Sequence, residues 1–409
     1  LVPERLDEEA TLDDERFTAV RDAVRRVFDQ PKLLETMRNA TMTGDRIADA
    51  YAALIPTLGF RNLVEMLETA CQRGIDNVED APRELVDLIA AMETTPAWVD
   101  MTLVAQGARA ERIPMATATP LAIRGAFLAT FLNKYAALPM TMTGTLSDEA
   151  AAKRVFETAS FFTATTLPGA LDRSGKGFEA AAKVRLMHSM VRYHILNSGK
   201  WDVATYGIPI PQADQMPAGL ISVFLMSAQL LKKGQTNFTP AQRASVELSR
   251  YRCFLLGLPE NLLGETPQEI VDLLIARHVS LREGYDDETC GALVRGTMEA
   301  DLFDTSSITG RLHAWLENGF SKFVLIKSFL DGDTERAAAI GITFRRREKL
   351  AAGVAAGSLA LKTAFYRVGL RLPVVSSRVD ARLNRRLAEL LDMYGHADFV
   401  TDADRYNLN

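Results

Sequence analysis

The chain has 409 residues, with 47 Lys and Arg against 52 Asp and Glu and a formal net charge of −5. That balance lacks the basic footprint of a nucleic-acid binder, so no nucleic-acid partner is expected. Hydrophobic residues make up 47% and charged residues 24%, enough for a sizeable core, and three scattered cysteines (Cys71, Cys253, Cys290) exclude a disulfide framework or zinc ribbon and suit a reducing, cytoplasmic compartment.

Apolar residues recur at three and four positions rather than two, which predicts an all-α fold. In chain order, helical periodicity covers Glu15 to Phe28 and Arg61 to Arg73, and Pro82-Arg83-Glu84 places a proline at a helix start. Further helices are expected at about 98–111, 121–136, 148–165, 178–197, 216–233, 240–257 and 267–278. The last four follow at about 282–301, 308–329, 345–371 and 379–394. The breaks at Leu167-Pro168-Gly169, Asp172 to Gly175, Gly207 to Pro211 and Gly257-Leu258-Pro259 are turns too short for interdomain linkers. One all-helical domain over 1–409 is therefore expected.

The longest apolar run, Gly219 to Leu231, is short of the ~20 residues of a membrane span. The segment Pro120 to Met140 carries Arg124, Asn133 and Lys134, so no transmembrane segment is expected in the visible chain. The chain begins at Leu1 rather than Met, which leaves an upstream signal or anchor open. Ala- and Arg-rich usage is compatible with a bacterial source, and oligomeric state is not legible.

Several familiar motifs fail. Gly175-Lys176-Gly177-Phe178-Glu179-Ala180 has the letters of a dinucleotide fingerprint but follows a turn cluster instead of a strand. Gly169 to Lys176 has one residue too many for a P-loop and no Ser or Thr after the lysine. There is no HExxH, no Glu three residues before any histidine and no GxSxG.

The informative stretch is Ala180 to Leu196 (AAAKVRLMHSMVRYHIL). On a helix Arg185, His188 and Arg192 stand at i, i+3 and i+7 and share one face. The two arginines lie within about 20° of each other and about 10 Å apart along the axis. A helix this apolar should be buried, and buried guanidiniums need an anionic partner. Two readings meet that need. Either Asp or Glu from neighbouring helices neutralises the arginines and His188 is a satisfied core histidine, or the face binds a planar dianion with a metal centre. Haem fits the second, with one imidazole for iron and guanidiniums for two propionates. His194, about 240° round from His188, cannot share its metal.

The stripe resembles the R-x-x-H-x-x-x-R signature of the MpaB/latex-clearing-protein oxygenase family, a group of all-helical haem b proteins. Pro96-Ala97-Trp98-Val99-Asp100 resembles that family's P-x-W-V-D step, and Arg154 with Thr158 its R-x-x-x-T helix. Trp201, Gly207-Ile208-Pro209-Ile210-Pro211-Gln212 and Asp214 resemble its W…G-x-P-I-x-Q-x-D connection. Tyr251-Arg252-Cys253-Phe254-Leu255-Leu256-Gly257-Leu258-Pro259 resembles its W-R-x-x-x-x-L-G-x-P helix end. In this order the motifs span about 96–265, with helices 1–95 and 266–409 expected to pack around them.

The resemblance implies a helical domain enclosing haem b (iron protoporphyrin IX). It makes His188 the iron ligand and Arg185 and Arg192 its supporting shell, at least one of them expected to meet a propionate, with Arg154 and Thr158 as distal groups. An arginine and a hydroxyl can donate to dioxygen or peroxide as the O–O bond polarises. The rubber-cleaving members carry a lysine just before that threonine and a glutamate upstream. Here Glu157 stands in the lysine's place and Lys134-Tyr135-Ala136-Ala137-Leu138-Pro139 holds no acid, so polyisoprene cleavage is not implied. Glu157 either pairs with Arg154 at i+3 or serves as a general acid or base.

The implied activity is a haem-dependent oxygenase or peroxygenase acting on a hydrophobic, unsaturated, isoprenoid- or lipid-like substrate with dioxygen or peroxide. Phe127, Phe131, Leu138, Met140, Phe224, Leu225 and Met226 are candidates for its lining, although such residues more often form core. The alternatives are a non-catalytic haem- or lipid-binding protein on the same scaffold, or a haem-free protein whose Arg185 and Arg192 take a carboxylate ligand.

Overall fold

The computed structural model describes residues 2–143 and 148–395. The first helices are α1 (Arg21–Phe28), α2 (Pro31–Thr41), α3 (Arg46–Ala52), α4 (Ile55–Leu58), α5 (Phe60–Arg73) and α6 (Arg83–Glu93). Next come α7 (Met101–Thr117), α8 (Thr119–Leu128), α9 (Lys134–Met142), α10 (Asp148–Ala164) and α11 (Lys176–Asn197). They are followed by α12 (Val203–Tyr206), α13 (Gln212–Lys232), α14 (Pro240–Leu255), α15 (Pro267–Ser280) and α16 (Ala292–Glu299). The last are α17 (Ile308–Phe329), α18 (Thr334–Ala339), α19 (Arg346–Arg371) and α20 (Ser376–Tyr394). Among the described residues there is no strand, only an isolated antiparallel bridge between Leu6 and Leu281. The fold is all-α. Among the described residues no helix is long and apolar enough to cross a membrane.

Three departures from the expected elements have local causes. The helix expected near 121–136 breaks after Leu128, because the Asn133 side chain accepts from Tyr135 N (3.1 Å) and starts α9 afresh. The helix expected near 282–301 is shorter, since the Asp286 side chain caps Thr289 N and a π-turn, Asp287–Gly291, leads into α16. Helices α2 and α3, absent from the expected set, form where Pro31 sits in a first turn and where the Asp45 side chain accepts from Ala48 N (3.2 Å).

The chain divides into two compact units. The first comprises the residues up to Ala110 and Pro168–Glu283. In its core Phe17, Val24, Val27 and Met37 pack with Met216, Leu220 and Val223 of α13 and with Ile270, Leu273 and Ile275 of α15. Burying each such side chain contributes about 1.5–3 kcal/mol. The Trp98 step has two tasks here: its indole lies under the Arg250 guanidinium at 4.2 Å, and Asp100 Oδ1 accepts from Thr102 N (2.8 Å) to start α7. Cys71 and Cys253 are buried as free thiols in this unit.

The second unit comprises Glu111–Leu167 and the described residues from Gly284 onward. Helix α17 packs against both α8 and α19. Leu128, Phe131, Leu293, Val294, Leu325 and Ile326 form a core that also encloses the free thiol of Cys290. Arg124 is buried within it, with Nε 3.0 Å from Glu317 Oε1 and Nη1 donating to the Thr297 and Met298 carbonyls (both 2.8 Å). Helix α20 adds Val379, Leu383, Leu387 and Leu390 to smaller clusters.

Candidate functional site

Helix α11 carries the sequence-selected stripe in the first unit, where α3, α5 and α14 pack against it. Arg185 and Arg192 are 5% and 3% exposed. Each guanidinium is met by a carboxylate of the α3 segment: Arg185 by Asp45, with Nη2 3.0 Å from Oδ1, and Arg192 by Asp49. Arg192 also donates from Nε to the Pro209 carbonyl (3.1 Å) and from Nη2 to the Ile210 carbonyl (2.6 Å). These are the contacts that the carboxylate reading of the stripe expects. Neither arginine needs a propionate for neutralisation. Burial raises the Asp49 carboxyl above its ordinary value, and Asp45 adds to the rise, although Arg192 and Ser189 act against it.

Two of the resemblance motifs, the G-x-P-I-x-Q-x-D connection and the L-G-x-P helix end, reach these two ion pairs. Gly257, with φ +88°, passes so close that a Cβ there would lie 2.2 Å from Asp45 Oδ2 and 2.8 Å from Arg185 Nε. Glycine therefore ends α14 for two reasons, backbone conformation and space. A Cβ on Gly44 would lie 2.6 Å from Arg192 Nε and from Asp49 Oδ2. Gln212 ties the same corner, its backbone N donating to the Thr43 carbonyl (2.9 Å) and its Nε2 to the Gly44 carbonyl (3.0 Å). Ile210 adopts φ +47°, a strained conformation for a β-branched residue, and its carbonyl accepts from Arg192. Trp201 Nε1 fastens the connection through the Gly207 carbonyl (2.7 Å). Asp214 is held by Arg5 (2.8 Å) and Arg277 (3.1 Å). Burial would raise the Asp214 carboxyl, but the two guanidiniums outweigh it and hold it below the ordinary value.

His188 stands between the arginines on α11, half-buried, with Nδ1 3.2 Å from Oε1 of the buried Gln215 on α13. An amide oxygen accepts only, so in this contact Nδ1 is the donor and the ring is held in one orientation. A histidine oriented by a hydrogen bond from one ring nitrogen is what metal ligation by the other requires. Among the described residues no group of three or more His, Cys, Asp and Glu could hold a metal ion. One imidazole is instead the donor that a macrocycle-bound metal takes, because the macrocycle supplies the equatorial ligands.

Arg154, Glu157 and Thr158 lie on α10 in the second unit. Arg154 Nη2 donates to Thr143 Oγ1 (2.9 Å) and Nη1 lies 3.3 Å from Met140 Sδ, which sets the cation at the C-terminal end of α9. Thr158 Oγ1 donates to the Arg154 carbonyl (3.0 Å), so its proton is committed to the helix and its lone pairs remain for accepting. Lys153 Nζ lies 3.9 Å from Glu157 Oε1. Among the lining candidates, Phe131 is fully buried in the second unit's core and Phe224 and Met226 pack on the first unit's core.

Sequence reasoning missed Asp45, Asp49 and Gln215. The first two lie on the unforeseen α3, where an Asp N-cap with a second Asp one turn on (Gly44-Asp45-Arg46-Ile47-Ala48-Asp49) was the available signal. Gln215 carries no motif and is recognisable only through its imidazole.

Comparison with known proteins gives a consistent result. Residues 113–393 match the family described as "ER-bound oxygenase mpaB/B'/Rubber oxygenase, catalytic domain". Among solved structures the chain is similar to "Structure of Latex Clearing Protein LCP in the closed state". The identity is 20%, over 86% of this chain and 91% of that chain, with a TM-score of 0.58, a likeness of fold. No curated protein matches in sequence.

Proposed function

Because the chain belongs to the family of mpaB/B' and rubber oxygenase catalytic domains, and is an oxygenase by that membership, we propose that it is a haem b-dependent member. In this reading His188 Nε2 is the iron ligand, oriented by Gln215. Its substrate is a hydrophobic, unsaturated, isoprenoid- or lipid-like molecule, and its oxidant is dioxygen or peroxide. The supporting observation is the His188–Gln215 contact, which orients the imidazole on an apolar, largely buried helix.

When bound, the haem would supply the activation of the oxidant. The protein's own groups hold it in place. The Asp45–Arg185 and Asp49–Arg192 pairs fix the face of α11 from which His188 projects, so the arginines act as positioning groups, and propionate contact is not required of them. Arg154 is the proposed cation for developing negative charge on the oxidant, and Glu157 the proposed proton carrier. Thr158 accepts a hydrogen bond unless its hydroxyl turns from the Arg154 carbonyl. Three buried thiols suit the reducing, cytoplasmic compartment in which we place it.

The deciding experiment is an absorption spectrum of protein reconstituted with haem. A Soret band that His188→Ala removes, while circular dichroism stays unchanged, supports the reading; an identical band in that variant ends it. Arg185→Met combined with Asp45→Leu, which replaces the ion pair by an apolar one that keeps α11 packed, should keep haem affinity, and a fall with unchanged circular dichroism would restore the propionate role. Glu157→Gln should keep the spectrum and lose turnover, and unchanged turnover would remove Glu157 from the mechanism.

A further inference from the structure

Helix α19 buries one side only. Ala351, Ala352, Ala355, Leu359 and Tyr366 are buried in the second unit. Leu350, Val354, Leu361, Phe365, Val368 and Leu372 are all exposed, Leu361 by 75%. At about 100° per residue those six fall within roughly 60° of one another, a strip about 33 Å long. A Cβ at Gly353 or Gly357 would meet nothing within 4 Å, so this side is open along the helix. Beyond it the turn Leu372-Pro373-Val374 projects Val374, 90% exposed.

The charge around this strip is opposite in sign to the chain's. Residues 345–394 hold eleven Lys and Arg against four acids (Glu348, Asp380, Glu389 and Asp392), in a chain whose net charge is −5. All eleven cations are exposed. Arg346, Arg371, Lys349 and Arg367 border one edge of the strip, and Arg347 and Lys362 the other. Arg382 of α20 lies over the Phe365 ring at 5.5 Å.

An apolar strip edged by arginines fits an interface that is oily within and anionic at its border. A two-fold contact with a second copy would set cation against cation. We propose that α19 and the α19–α20 turn dock the protein on an anionic phospholipid bilayer. The strip and Val374 enter the headgroup–acyl boundary, and the arginines meet lipid phosphates. This goes beyond the oxygenase reading and does not rest on the cofactor.

Co-sedimentation of the full chain tests it, using vesicles of pure phosphatidylcholine and vesicles with about one third phosphatidylglycerol. The chain should bind the second and not the first, and lose binding in high salt. Leu361→Ser with Phe365→Ser should lower the partition coefficient roughly tenfold or more. Arg367→Ala with Arg371→Ala should lower it about fivefold per arginine. Arg25→Ala, on α1, should change nothing. Failure to bind phosphatidylglycerol vesicles overturns the proposal, as does equal binding by the Leu361/Phe365 variant. A concentration-dependent dimer that the same variant dissociates would give the strip to a second copy instead.

Discussion

Helices α11 and α19 both invert the usual partition of side chains, and they do so in opposite senses. α11 takes two guanidiniums into an apolar interior, and α19 presents six large apolar side chains to solvent. The α11 inversion is answered within the chain, since Asp45, Asp49 and two carbonyls meet the arginines. The α19 inversion has no answer among the described residues that pack on it. A compensated inversion holds a structure together, whereas an uncompensated one points outward to something else. Removing a single group should therefore be costly in α11 and nearly free in α19.

The largest effect is expected at Asp45. Asp45→Ala leaves Arg185 buried without its carboxylate and should cost about 3–5 kcal/mol in urea unfolding. A loss below about 1 kcal/mol would mean that the pair is not a buried one. Asp214 offers a related test with a pH signature. Its folded carboxyl is held below the ordinary value of 3.8, so its stabilisation is full above that value. It is lost as pH falls from there through the folded pKa. Asp214→Asn should lower stability at neutral pH and flatten the acid limb of a stability–pH curve.

Gly257→Ala should cost about 2–4 kcal/mol, from a left-handed backbone and from crowding the Asp45–Arg185 pair. At His188 the comparison sharpens, because His188→Ala should cost about 1 kcal/mol or less and, on the proposed haem reading, remove the Soret band. The smallest effect belongs to α19: Leu361→Ser with Phe365→Ser should move thermal stability by no more than about 0.5 kcal/mol per site. A large loss there would show that the strip is covered within the folded chain.

The all-α class and most long helices were legible because apolar spacing at three and four is dense in α11, α13 and α17. The segment 31–52 was not, since α2 and α3 are 11 and 7 residues long and their existence depends on tertiary burial and an Asp cap. That gap had consequences for the site. Reading α11 alone showed that two cations needed anions, but the anions came from α3, which periodicity did not reveal. His188 and its flanking arginines were visible as a stripe. Gln215 was not, because a buried amide acquires meaning only from the atom it faces. The glycine of the L-G-x-P step could be read as a helix end, while its second reason, the ion pair passing beneath it, required the fold.

The buried thiols have a practical consequence. Burial pushes Cys71 and Cys253 up to about 12 and raises Cys290 as well, so almost no thiolate forms near neutrality. Two of these sulfurs belong to the first compact unit and one to the second. An alkylating reagent followed by mass spectrometry would then time the opening of each unit separately, with native cysteines as the clocks.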